Sequence, residues 1–213
     1  MFDALLFSKT PTLFSIIYAE CLWKLPGTDK VLYLTFDDGP IPEATPFVLD
    51  QLKEYNAKAT FFCVGKNVEA NPTILKRILR EGHSVGNHTY DHLNGWKNIN
   101  KIYFENIDKC QHVLSRYCGK HLTDLFRPPY GKLKPSQYRA LKSKYKIAMW
   151  DVLSFDFDLK TGRKKTVKNV IKNAEPGSLI VFHDSIKAKP TMEYALPKVL
   201  AHFTEKGFKF EKL

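Results

Sequence analysis

A chain of 213 residues that is 44% hydrophobic and 26% charged is economically one soluble domain with a substantial core. Its four cysteines (Cys21, Cys63, Cys110 and Cys118) form no CxxC pair and exclude a disulfide scaffold, and Cys63 inside an apolar run reads as a buried thiol. The formal charge of +11 invites a polyanion, concentrated where Lys160, Arg163, Lys164, Lys165, Lys168 and Lys172 stand with no acid among them. A solvated helix face accounts for that run. No zinc finger, arginine-rich repeat or aromatic RNA-binding signature accompanies it, so nucleic acid is not expected, whereas an acidic glycan or anionic surface would use the same charge.

In chain order, residues 1–30 come first and form a separate extension. Their apolar stretch 14–23 is interrupted by Glu20, has no basic cluster before it and no small-residue cleavage site after it. It is neither a clean signal peptide nor a membrane span, which leaves the location open and leaning cytoplasmic. An amphipathic helix is expected here, with Leu13, Ile16, Ile17, Cys21 and Trp23 turned onto the body of the domain. From residue 31 the pattern becomes regular. Strands are predicted at 31–36, 59–64, 84–88, 125–127, 147–152, 179–183 and 208–211. Helices are predicted at 45–56, 72–80, 102–117, 135–145, 166–173 and 194–205. Such alternation means βαβ units and a parallel sheet across residues 31–213. Polar residues end many different strands, which favours a barrel of fewer than eight strands over an open sheet with one switch point.

The first of those strand ends is Thr35-Phe36-Asp37-Asp38-Gly39-Pro40. As turn composition it is ordinary, but two adjacent carboxylates at the end of a buried strand repel unless a cation neutralises them. His88-Thr89-Tyr90-Asp91-His92 follows the third strand. Two imidazoles sharing a zinc-like ion need nitrogens roughly 3–3.5 Å apart. Residues four apart on a strand would stand about 13 Å apart, so a helical turn is expected at 88–92. With one of the carboxylates these histidines would make a two-His, one-carboxylate metal site, and the other carboxylate would be left to take a proton. His83 is a third imidazole nearby, and a structural role for it stays open. Arg127-Pro128-Pro129-Tyr130-Gly131 fixes an unusual backbone that could aim an N–H at an oxyanion, with Arg127 placed to hold a carboxylate. Trp150 to Asp158 brings three acids and three aromatics to another strand end, where aromatics suit a sugar ring or the core. His183 closes the apolar run Leu179-Ile180-Val181-Phe182, the place for a general acid.

With those five ordered motifs the chain resembles the polysaccharide deacetylase family, the NodB-homology domains of carbohydrate esterase family four, from about residue 31 to the carboxyl terminus. The resemblance implies an α/β fold, a distorted (β/α)7 TIM-like barrel, and metal-dependent hydrolysis of N-acetyl groups on a glycan. It implies Asp37 as base, Asp38, His88 and His92 as ligands of a divalent metal (Zn2+ first, then Co2+ or Ni2+), and Arg127 as the residue orienting Asp37. It further implies Tyr130 N–H at the oxyanion, His183 as general acid tuned by Asp156, and Leu179 lining the acetyl pocket, with Trp150, Phe157 and Pro128 also facing substrate. The fourth motif departs from the family, with Phe157 where Trp is usual and Leu153 where an Asp is usual. Which of Asp151, Asp156 and Asp158 partners His183 and Arg127 is therefore left open, as is the oligomeric state. Two other readings are kept: the same machinery on an O-acetyl ester or another linear amide, and a metal-bearing glycan-binding module without turnover.

Overall fold

The computed structural model describes residues 7–213, so residues 1–6 of the expected extension lie outside the described residues. After a short helix α1 (Thr12–Ile17), β1 (Val31–Asp37) leads through α2 (Thr45–Glu54) to β2 (Ala59–Cys63). Two helices, α3 (Gly65–Ala70) and α4 (Pro72–Arg80), precede β3 (Ser84–Asn87). The long α5 (Asn100–Cys118) returns to β4 (Leu125–Phe126), and α6 (Pro135–Leu141) to β5 (Lys146–Ile147) and β6 (Val152–Leu153). Then come α7 (Arg163–Asn173), β7 (Leu179–His183), α8 (Lys189–Glu205) and β8 (Lys209–Phe210).

The strands run in the order β5-β4-β3-β2-β1-β7-β6, all neighbours parallel, with β8 added beside the start of β1. This is the expected curled α/β barrel. Strand β1 is central, and its register sets Asp37 level with Phe62 on one side and His183 on the other. Because strand side chains alternate, Leu32, Leu34 and Phe36 face the helices while Thr35 and Asp37 face the barrel interior. The outward set packs with Val48, Leu49 and Leu52 of α2 and Ala195, Leu196 and Val199 of α8 in the main core. Those helix positions recur at three- and four-residue spacing, one apolar stripe per helix.

Two elements differ from the prediction. The single strand expected at 147–152 is two short ones, because Ile147 pairs with β4 and Val152 with β7, and between them Met149 N–H bonds the Leu22 carbonyl of the extension. Helix α3 was not predicted: six residues with one buried apolar side chain, Val68, carry no readable period.

The extension also departs from expectation. Leu13, Ile16 and Ile17 are 63%, 68% and 59% exposed, so the expected apolar contact with the domain does not form through them. The helix instead turns Ser15 and Tyr18 inward, Tyr18 meeting Tyr138 of α6 edge-on at 5.1 Å. Cys21 and Trp23 do pack as expected, against Tyr103, Phe126 and Ile147. The physical reason is that the segment is anchored by backbone, not by its apolar stripe. Lys9 pairs with Val152, Leu22 with Ala148 and Lys24 with Ser178, so these residues fill the seam between β5, β6 and β7. At Gly177 (φ 84) a Cβ would lie 2.0 Å from the Leu25 carbonyl, which is why the seam needs a glycine there. Among the described residues no helix is long and apolar enough to cross a membrane.

Candidate active site

The carboxyl ends of β1, β3, β4, β6 and β7 meet at one mouth. Five residues there, Asp38, Thr89, His92, Tyr130 and Phe155, hold φ of 86, 62, 56, 62 and 64°, a left-handed backbone that costs free energy in non-glycine residues. Side chains hold these loops in place. Asn67 donates to the Asp38 carbonyl at 2.7 Å, Asn87 accepts from Thr89 N–H at 2.9 Å, and Thr89 Oγ1 accepts from Leu93 N–H at 3.0 Å. The helical turn expected at 88–92 is therefore absent. An irregular loop, bent at Thr89 and His92, brings the two imidazoles to 5.1 Å between ring centres.

Asp38, His88 and His92 offer ligand atoms that all lie within 4.8 Å of one another. His88 Nδ1–H donates to the Arg127 carbonyl at 2.8 Å; a carbonyl only accepts, so Nε2 carries the lone pair and points to Asp38 Oδ1 at 3.9 Å. Burial pushes the His88 imidazole down to about 4, with Asp37 opposing, so it is neutral near pH 7. His92 Nε2 stands 3.2 Å from the same carboxylate oxygen, while its Nδ1 meets Tyr130 Oη at 3.2 Å. Burial works against charge on Asp38, but the adjoining His92 and the His183 and His88 imidazoles hold its carboxyl well below the usual range. Its buried Oδ1 satisfies hydrogen-bond geometry with no partner, His92 included. An orphaned anionic oxygen facing two imidazole nitrogens is a donor set that fits a divalent cation.

Asp37, one residue earlier, faces the interior. Arg127 Nη1 donates to its Oδ1 and to Thr35 Oγ1, each at 2.7 Å, while Nε and Nη2 donate to the carbonyls of Ala148 (3.1 Å) and Met149 (2.8 Å). The guanidinium, fully buried, lies 4.1 Å over the Phe62 ring. Asp37 Oδ2 makes no hydrogen bond among the described residues. Across the β1–β7 ladder, His183 Nδ1–H donates to Asp156 Oδ1 at 2.8 Å, and Asp156 Oδ2 accepts from His183 N–H at 2.7 Å. Burial alone would lower the His183 imidazole, but the charge and hydrogen bond of Asp156, with Asp38 and Asp37 behind, raise it to about 9. It stands protonated at neutral pH.

Several open assignments are decided by these contacts. Asp156 partners His183; Asp151 instead bonds Lys9 at 2.8 Å, and Asp158 bonds Thr161 at 2.8 Å at the surface. None of the three reaches Arg127, whose carboxylate partner is Asp37. Phe157, in the position where Trp is usual, meets the His183 ring edge-on at 4.9 Å. Trp150 packs over Gly131, where an added Cβ would lie 2.5 Å from the indole, so it braces the Tyr130 loop.

Leu179 is a correction. It begins β7, fully buried beside Tyr33, and stands about 13 Å below His183, four strand residues away. Val181 shares the His183 face two residues closer. Pro128 is buried too. His83 lies before β3, at the opposite end of the strands; its Nδ1 accepts from Ala59 N–H at 3.3 Å, and burial lowers it to about 4. It is structural. Asp184, next to His183, was given no role by sequence; it bonds Gly39 and Thr45 beneath the Asp37–Asp38 pair. Its adjacency to His183 was the one available signal.

With this geometry in place, residues 24–150 match the polysaccharide deacetylase family. The chain belongs to that family. It is 34% identical over 190 residues to a peptidoglycan-N-acetylglucosamine deacetylase of Bacillus cereus, covering 88% of each chain. It is 34% identical over 162 residues to a chitooligosaccharide deacetylase of Azorhizobium caulinodans, covering 76% of this chain and 77% of that one. The crystal structure of the Bc1960 peptidoglycan N-acetylglucosamine deacetylase superposes with a TM-score of 0.87 at 36% identity, over 96% of this polysaccharide deacetylase and 95% of that chain.

Proposed function

We propose that this deacetylase removes N-acetyl groups from a glycan of N-acetylglucosamine type, peptidoglycan or chitooligosaccharide, using a divalent cation, Zn2+ first. One observation carries the reading. An arginine-bonded carboxylate, Asp37, and a protonated imidazole, His183, end adjacent strands in register, beside a carboxylate and two imidazoles suited to a cation. Held by Asp38, His88 and His92, the cation would supply Lewis-acid polarisation of the amide carbonyl and of the attacking water.

The protein's own groups do the proton work. Asp37 Oδ2 takes a proton from water as its oxygen adds to the acetyl carbon, while Arg127 fixes Oδ1 and keeps the carboxylate aimed. Tyr130, held at φ 62°, offers its backbone N–H to the oxyanion. His183 Nε2–H then protonates the nitrogen as the C–N bond breaks, giving acetate and the free amine. Asp156 holds the other ring nitrogen and the correct tautomer. Phe157 against His183 limits water at that ring.

The pH dependence follows from His183. Its proton is held in the fold to about 9 against an ordinary value of 6.5, so its contribution to stability is complete below 6.5 and lost as pH rises through about 9. Activity should fall along the same alkaline limb, where the acid is deprotonated. In Asp156→Asn the limb should move to lower pH; a pH–rate profile with an unmoved limb would assign it to another group.

Acetate release tests the function as a whole. Release is expected from chitooligosaccharide or peptidoglycan, abolished by a chelator and restored by Zn2+, Co2+ or Ni2+. Release from acetylated xylan alone would make the protein an esterase. No release from any of these substrates would overturn the reading.

A further inference from the structure

The turn that carries Asp37 and Asp38 has to hold a left-handed residue, Asp38, at the rim of a polar mouth, and the β1 ladder ends one residue before it. What fixes it lies underneath. Asp184 is fully buried and touches the turn twice: its N–H donates to the Asp37 carbonyl at 3.1 Å, and its Oδ1 accepts from Gly39 N–H at 3.0 Å. Its Oδ2 accepts from Thr45 Oγ1–H at 2.6 Å, and Thr45 Oγ1 accepts from Ile41 N–H at 2.7 Å. Asp184 and Thr45 thus bind the turn on both sides of Asp38. The approach is so close that a Cβ on Gly39 would sit 2.0 Å from Asp184 Oδ2, which explains the glycine.

Neither residue reaches the mouth, and neither touches the Asp38 carboxylate. We propose that Asp184, with Thr45, is a positioning residue for the cation site: it sets the direction of the Asp38 carboxylate by clamping the backbone on either side. Gly39 N–H and Thr45 Oγ1 each meet a different oxygen of this carboxyl, so both oxygens are needed to complete the clamp. An amide in its place keeps the shape but faces Thr45 with hydrogens where Thr45 needs an acceptor. Groups that orient a metal ligand without touching the metal typically change affinity by about 10–100-fold when altered.

This rests on the metal reading above, and the experiment separates the two. Metal-free parent, Asp184→Asn and Thr45→Val proteins are titrated with Zn2+ by calorimetry, with thermal unfolding and acetate release measured beside it. The parent should bind. Asp184→Asn should bind about 10–100-fold more weakly, with kcat recovering at saturating Zn2+ while the apparent metal requirement rises. Thr45→Val, which removes one arm, should weaken binding less. A parent that fails to bind Zn2+ sinks the metal reading itself. Variants that bind within twofold of the parent, whatever their melting temperatures, overturn the positioning role. If Asp184→Asn does not fold, Thr45→Val carries the test: unchanged Zn2+ affinity there overturns the proposal.

Discussion

Asp37→Asn should release acetate roughly 100- to 10,000-fold more slowly than the parent while still binding Zn2+, the loss expected when a general base is removed. The substitution is nearly isosteric. Its amide oxygen can still accept from Arg127 in place of Oδ1, so the 2.7 Å contact survives and the barrel interior keeps its shape. Lost is the open oxygen, Oδ2, which alone of that carboxylate has no protein partner and can take a proton from water. Asp38, His88 and His92 are untouched, so calorimetry with Zn2+ should give an affinity within a few-fold of the parent. Turnover at the parental rate would show that another group takes the proton. Weakened metal binding with normal turnover per bound metal would place Asp37 among the ligands.

Arg127→Met should cost about 3–5 kcal/mol of stability, because it leaves a buried charge without its partner. Four hydrogen bonds end on this guanidinium, and burial by itself lowers the pKa of the group, with Asp37 opposing. Removing it strands the Asp37 carboxylate and orphans the Ala148 and Met149 carbonyls, each a buried acceptor. Lysine is not a conservative replacement. One ammonium cannot span two carbonyls, a hydroxyl and a carboxylate that a planar fork reaches together. Urea unfolding of parent, Arg127→Met and Arg127→Lys would measure this, and a loss under about 1 kcal/mol for Met would mean the pair is solvated. Activity should fall with stability here, since the same bond orients Asp37.

The strand-end chemistry was legible because polar residues interrupt apolar runs, and an interruption is visible without coordinates. Asp37 and Arg127 bond each other, as do His183 and Asp156, where the strand pattern ends; which of the three acids would meet His183 was not legible. The path of the chain between His88 and His92 was not legible. Spacing offers only strand or helix, and the observed loop is neither: Thr89 and His92 adopt backbone angles that no periodicity encodes. The place of Leu179 was legible: it opens the run that His183 closes, so it lies at the amino end of the strand, away from the mouth where the carboxyl ends gather. The extension failed for a different reason. An apolar stripe at helical spacing signals a buried face, but α1 is held by backbone pairing on either side and need not bury its stripe. The role of Asp184 was not legible because its two side-chain partners, Gly39 and Thr45, lie far away in sequence.

The seam at the start of the chain bears on how the protein acquires its shape. Lys9 reaches Asp151 across 142 residues, and Leu22 reaches Ala148 over a similar span. Closing loops of that length gives no return until both ends are in place, and contacts so distant in sequence slow folding. A ribosome delivers one side of the seam long before the other exists. Until residues 148–153 arrive, the segment around Lys9 has no edge to pair with, and the curled sheet can form only as an open gutter. The ring is drawn shut late, by the residues that emerged early.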